Sequence, residues 1–153
     1  MSSTTESFNA PNRNKKAPQT ALLLGYAGLT FLAGAVFSLP IAASLWPWGN
    51  MLLLNYAAII LSFMGGVHWG VAMLPNPIEK SRMVKSVIPS LAALIGIVIG
   101  GNAGLMILAI GFIGLLFYDE VEARKGHLTD WYPLLRRPLT TTVVLCLLAG
   151  LAA

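Results

Sequence analysis

At 153 residues, 56% hydrophobic and 10% charged, with a mean hydropathy of +0.73, the chain is too apolar to cover itself with water-facing surface; soluble domains carry about 25% charged residues. A net charge of +4 and a pI near 9.5 would suit nucleic acid. The positives lie between apolar runs, however, with no basic helix, zinc pattern or aromatic strand beside them, so no nucleic-acid partner is expected.

Residues 1–18 are polar, rich in Ser, Thr and Asn and punctuated by Pro11 and Pro18, and read as a flexible tail. Arg13, Lys15 and Lys16 precede the first apolar run. A cleaved signal peptide would need a shorter apolar region and a better residue than Ile41 before the cut. A mitochondrial transit peptide would need an amphipathic arginine-rich helix. The run is therefore expected to be an uncleaved first span, about 20–39, closed by Pro40. Trp46-Pro47-Trp48 follows as an uncharged turn at headgroup level.

The second span, about 50–74, carries Asn55, Ala58, Ser62, Gly65, Gly66, Trp69 and Met73 on one face at 100° per residue. Leu53, Leu54, Ile60 and Leu61 lie mostly elsewhere. Small and polar residues mark the side of a membrane helix that meets other helices, so Gly65, Gly66 and Gly70 are expected to be close-approach points. Trp69 should then lie in the seam and His68 on its shoulder. Pro75-Asn76-Pro77 ends the helix, and Glu79, Lys80, Arg82 and Lys85 form a charged loop.

As one helix, residues 84–119 would be about 50 Å long, well beyond the roughly 30 Å hydrocarbon core. Gly100-Gly101-Asn102-Ala103-Gly104 reads as a turn that would divide the run into spans of about 84–100 and 103–118. Gly96, Gly100 and Gly104 recur at four-residue spacing, as in a tight hairpin. Asp119–Pro138 reads as the longest internal loop, with Trp131 and Tyr132 as interface anchors. A last span covers about 139–153. The single cysteine, Cys146, sits within it and reads as a small packing residue.

These elements amount to an all-α polytopic membrane bundle of five short helices. Five spans place all ten Lys and Arg on one side, which makes the N-terminus cytoplasmic and the C-terminus external. His68 then lies roughly 9 Å from the cytoplasmic end of its span, level with Asp119, Glu120, Trp131, Arg136 and Arg137. An ionisable residue at membrane depth is a candidate site, and a His beside a carboxylate can hold a proton or orient a polar ligand. The candidate cluster is thus His68, Trp69, Asp119, Glu120, Trp131, Arg136 and Arg137. The competing reading gives these residues only the task of fixing helix register.

No cofactor, metal or catalytic residue is expected. Haem would need paired histidines at matched depth, and zinc three or four clustered ligands. No Ser-His-acid arrangement, phosphate loop or helical His-Glu motif occurs.

Ser62-Phe63-Met64-Gly65-Gly66-Val67-His68-Trp69-Gly70 resembles the signature of an uncharacterised bacterial and mitochondrial membrane family, that of transmembrane protein 69 (domain of unknown function 3429). Leu24-Gly25-Tyr26-Ala27-Gly28-Leu29 and Trp131-Tyr132-Pro133-Leu134-Leu135-Arg136-Arg137-Pro138-Leu139-Thr140 share the resemblance, which covers about residues 20–153. It implies a five-span protein of the bacterial inner membrane or its mitochondrial equivalent, and it carries no activity.

The expected role is non-enzymatic: an accessory or assembly protein that acts by helix packing with lipid, other integral membrane proteins or its own copies. The alternative is a small-ligand or proton-handling protein with a cytoplasm-facing polar pocket around His68. An enzyme working on lipid or quinone ranks behind both.

Overall fold

The computed structural model describes residues 18–30, 34, 49–74, 80–129 and 131–152. The tail to residue 17, Trp46-Pro47-Trp48, Pro75-Asn76-Pro77 and most of the second half of the expected first span lie outside these residues. The described residues form helices and short turns: α1 over 19–30, α2 over Gly49–Met73, α3 over Lys80–Lys85, α4 over Ile88–Ile99, α5 over Gly101–Arg124 and α6 over Trp131–Ala152.

Among the described residues, four segments are long and apolar enough to cross a membrane: α2, α3 with α4, α5, and α6. Their outward faces carry large aliphatic and aromatic residues, including Phe63, Leu94, Val98, Ile110, Phe117 and Leu145. In water such faces would form an untenable apolar surface, whereas in a bilayer they meet lipid. The protein is an all-α, multi-pass integral membrane protein.

Residues 84–118 form a helical hairpin, and its turn is tighter than the five-residue cluster expected. It is made by Gly100 (φ 67°, ψ −175°) and Gly101 (φ 54°). The first conformation is accessible essentially to glycine alone. On the other side of α4, Pro89 lies in its first turn, where the missing N–H has no intrahelical partner to lose. Lys80–Lys85, expected in a loop, is helical and joins α4 through a turn at Ser86-Val87.

The expected loop from Asp119 to Pro138 is mostly helix. α5 continues to Arg124, where Gly126 (φ 78°) closes it. Gly126 N–H bonds the carbonyl of Ala123, and His127 N–H bonds that of Glu122, the paired pattern of a glycine-terminated helix. α6 begins at Trp131, because Pro133 falls in its first turn, where no donor is needed. Pro138 stands inside α6; a membrane helix tolerates it because neighbouring groups can satisfy the carbonyl that it frees.

α5 is the central element and packs on α2, α4 and α6. The shared core holds Leu53, Leu54, Ala57, Ala58 and Leu61 of α2, Ala93 of α4, Leu105, Leu108, Ala109, Phe112 and Leu115 of α5, and Val143, Cys146 and Leu147 of α6. The buried face of α2 therefore differs from the small, polar stripe. It runs through Leu54, Ala57 and Ala58, Leu61, Gly65, His68 and Ala72, with helical spacing. Trp69 is 42% exposed, and Met73 and Gly66 also face outward. Among the described residues, a Cβ at Gly66 or Gly70 would meet nothing within 4 Å, so neither is a close-approach point there.

The partner helices supply the reason. Leucines of α2 seat on glycines opposite: Leu61 on Gly111, Leu54 on Gly104 and Leu53 on Gly150, each within 2.6–3.0 Å of where a Cβ would stand. Association in lipid depends on such van der Waals fit, because lipid tails are as apolar as the core. Gly65 does make a close approach, since its Cβ would stand 2.7 Å from the Ser86 carbonyl oxygen at the α3–α4 turn. Gly96 also makes one, facing Leu108 and the Gly104 backbone of α5.

Candidate functional site

Every described Lys, Arg, Asp, Glu and His lies at the end of the bundle opposite the Gly100 turn, on α2 near its C-terminus, on α3, at the end of α5, in the turn after it or at the start of α6. Two helix faces bring the acids inward. On α5 the buried positions run Leu105, Leu108, Phe112, Leu115, Asp119 and Glu122, so the carboxylates extend the apolar stripe at its own spacing. On α6 they run Pro133, Arg136, Thr140, Val143 and Leu147, with Arg136 in the first turns.

Asp119 is 0% exposed and shared between two partners. His68 Nε2 lies 2.5 Å from its Oδ1, and Arg136 Nε donates to its Oδ2 at 2.8 Å. With Asp119 ionised, Nε2 is the donor of the first contact. The His68 ring also meets the Tyr118 ring edge-on at 4.9 Å between centroids. Three helices thus converge on one carboxylate. His68, Asp119 and Arg136 each lie five residues from a helix terminus, Met73, Arg124 and Trp131 respectively, or about 8 Å in depth. Each buried ion carries a desolvation cost of several kcal/mol that only good geometry repays.

A second cluster lies one turn further along α5. Glu122 takes Arg82 Nε of α3 at 3.1 Å, Lys125 Nζ at 3.2 Å and His127 Nδ1 at 2.9 Å. Arg82 and Glu122 are both buried, so this cluster ties α3 to α5. A third pair, at the surface, joins Arg137 to Glu120 in a two-pronged contact at 2.7 and 3.0 Å. Exposed pairs of this kind are screened by solvent and contribute little to stability.

Of the seven sequence candidates, the structure therefore gathers His68, Asp119 and Arg136 into one buried relay. His68 lies at the centre of the buried face of α2, not on a shoulder. Glu120 and Arg137 form the separate surface pair. Trp69 faces away, and Trp131 packs edge-on against Tyr132 at 6.0 Å. Sequence reasoning passed over Glu122 and Arg82 as loop charges. Extending the α5 stripe past Tyr118 would have found Glu122. Among the described residues, no three His, Cys, Asp or Glu gather as metal ligands.

Four buried side-chain atoms have no hydrogen-bond partner among the described residues: Asn50 Oδ1, Tyr132 Oη, Arg136 Nη2 and Thr140 Oγ1. Three of the four belong to the first half of α6, around the relay. Buried polar groups without partners are rare, and these three stand on the helix that carries Arg136. A cavity of about 380 Å³ reaches Arg136 and Tyr132 from between α1, α2 and α6.

The chain matches the family described as "Protein of unknown function (DUF3429)" over residues 17–152. It is 33% identical to "Transmembrane protein 69" of Xenopus tropicalis over 144 residues. That match covers 90% of this chain and spans 55% of the length of the relative. No solved structure matches the chain. The chain belongs to the DUF3429 family, as the resemblance of Gly65-Gly66-Val67-His68-Trp69-Gly70 and its companion segments implies.

Proposed function

We propose that this DUF3429 member is a non-enzymatic protein that holds a small ligand at the buried His68–Asp119–Arg136 relay. The observation that carries this reading is the carboxylate shared by three helices, with leftover donors on α6 beside a cavity. Helix register alone would be served by the ion pair and would leave no reason for unpartnered donors at the same place. The reading includes five spans, with α1 as the described part of the first, in the bacterial inner membrane or its mitochondrial equivalent. The N-terminus is cytoplasmic, so the relay opens toward the cytoplasmic half. One-sided collection of the cationic residues supports that orientation. A reporter fused to the C-terminus that is active only in the cytoplasm should be silent; activity would reverse the assignment.

An accessory role through helix packing keeps one specific support. A groove of about 580 Å³ runs between α4 and α5, lined by Ala92, Gly111 and Gly114 among larger residues such as Ile88, Ile107 and Ile110, and a membrane helix of another protein could approach closely at the small ones. One experiment separates the readings. After purification in mild detergent, native mass spectrometry should show a small-molecule adduct on the protein. The adduct should be absent from an Asp119→Leu, Arg136→Met double variant that still folds. A stoichiometric protein partner without an adduct would favour the accessory role, and a bare monomer would overturn both.

A further inference from the structure

We infer that the groove between α4 and α5 holds one acyl chain of an anionic phospholipid from the surrounding bilayer, with the lipid phosphate paired to Lys85. The groove, about 580 Å³, has almost wholly apolar walls, and none of His68, Asp119 and Arg136 lines it. It is elongated. On α5 its lining runs from Ile107 to Tyr118, roughly 16 Å along the helix axis. One leaflet supplies about 15 Å of the roughly 30 Å hydrocarbon core. The small residues Ala92 and Gly114 give the groove its depth; among the described residues, a Cβ at Gly114 would meet nothing within 4 Å. Ile88 and Ile110 stand beside them, 58% and 66% exposed, so the groove opens to lipid.

Charge decides the occupant. Lys85 and Tyr118 line the end of the groove remote from the Gly100 turn, where the charged residues collect. Arg82, Lys125, Arg136 and Arg137 each pair with a carboxylate. Lys85 is exposed and makes no ion pair among the described residues. A cation on a lipid-facing helix is costly without a counter-ion, and the flexible lysine stem carries its ammonium toward the headgroup level. The phosphate of a lipid whose chain lies in the groove stands at that level. In a zwitterionic lipid the headgroup's own ammonium already offsets the phosphate. An anionic lipid leaves a net charge for Lys85 to cancel. A helix of another protein seated on the small residues would have to clear Ile88 and Ile110 and bring its own carboxylate to Lys85. A single acyl chain has neither requirement.

The test is native mass spectrometry of the full chain in detergent, titrated with phosphatidylglycerol and with phosphatidylethanolamine of the same acyl chains. Phosphatidylglycerol should saturate as a 1:1 adduct and bind about fivefold more tightly than phosphatidylethanolamine, the effect of one lysine near a membrane surface. Lys85→Gln should lose that preference and Lys85→Arg should keep it. Lys80 is an exposed lysine of α3 outside the groove, so Lys80→Gln should keep it as well. Gly114→Leu sends a side chain into the groove and should abolish the 1:1 adduct of both lipids. Lys85 lies at the surface, so Lys85→Gln decides the matter even where Gly114→Leu fails to fold. Equal binding of the two lipids by wild type, or an unchanged preference in Lys85→Gln, would overturn the inference. Equal losses in Lys80→Gln and Lys85→Gln would overturn it too, by showing only diffuse attraction to the charged end. Lipid binding that survives Gly114→Leu, while a co-purifying membrane protein is lost, would assign the groove to a helix instead. The lipid adduct should persist in the Asp119→Leu, Arg136→Met double variant, which distinguishes it from a ligand held at the relay; its loss there would move the lipid to the relay and overturn the inference.

Discussion

Asp119→Asn is expected to destabilise the folded protein by about 3–5 kcal/mol, the cost of leaving one member of a buried ion pair without its partner. Asp119 is fully buried and accepts from both His68 and Arg136. The amide would keep the shape and one acceptor oxygen, but would set an NH2 group against either the imidazole N–H or the guanidinium. Arg136, also buried, would then carry an uncompensated charge. The double variant Asp119→Leu, Arg136→Met removes both charges and fills similar volume, and such exchanges are often neutral or stabilising by about 1–4 kcal/mol. Denaturant titration in micelles, followed by helix signal, measures the single and double variants on one scale. A single variant as stable as wild type would mean that Asp119 is not the keystone of the relay. A double variant as unstable as the single one would mean that the relay fixes the fold by something other than charge pairing.

Gly104→Ala is expected to cost about 1–3 kcal/mol, as overpacking in a tight core does. The new Cβ would run into the Gly96 carbonyl oxygen and stand 3.0 Å from Leu54 Cδ1. Neither obstruction can move freely. The first is backbone in the facing arm of the hairpin, and the second is a core leucine held by its neighbours. Relief would require α4 and α5 to separate, which loses the contacts that hold helices together in lipid. Gly114→Ala is the control, because a Cβ there meets nothing within 4 Å among the described residues. It should leave stability within about 0.5 kcal/mol of wild type. Thermal unfolding of both variants in detergent tests the contrast; equal losses would show that glycine content, not close approach, is what matters.

Much of this was legible in the residues. Apolar runs separated by charged segments specify a membrane protein, because unsatisfied charges cannot sit in hydrocarbon. Gly100-Gly101 marks the hairpin, because only glycine takes that turn cheaply. Counting residues from the expected span ends set His68 roughly 9 Å inside its span and left Asp119 and Arg136 in the loop at the same end of the bundle; continuation of α5 to Arg124 and the start of α6 at Trp131 bring all three to one depth. Rotation about the helix axis was not legible. His68 and Trp69 are neighbours 100° apart, and nothing in their own stretch says which of them faces inward. The choice was made by glycines far away in the chain, Gly104, Gly111 and Gly150, which receive the leucines of α2 and so turn His68 to the centre and Trp69 outward. Pro133 and Pro138 likewise read as loop residues, until helix position and neighbours show that α6 can carry them. The sequence by itself thus determined solvent, the approximate spans and a set of seven candidates that contains the relay. The tertiary structure alone decided which face of each helix is inside, which carboxylate meets which cation, and that Tyr132 and Arg136 of α6 line a cavity, because those depend on the fit between surfaces that no single segment contains.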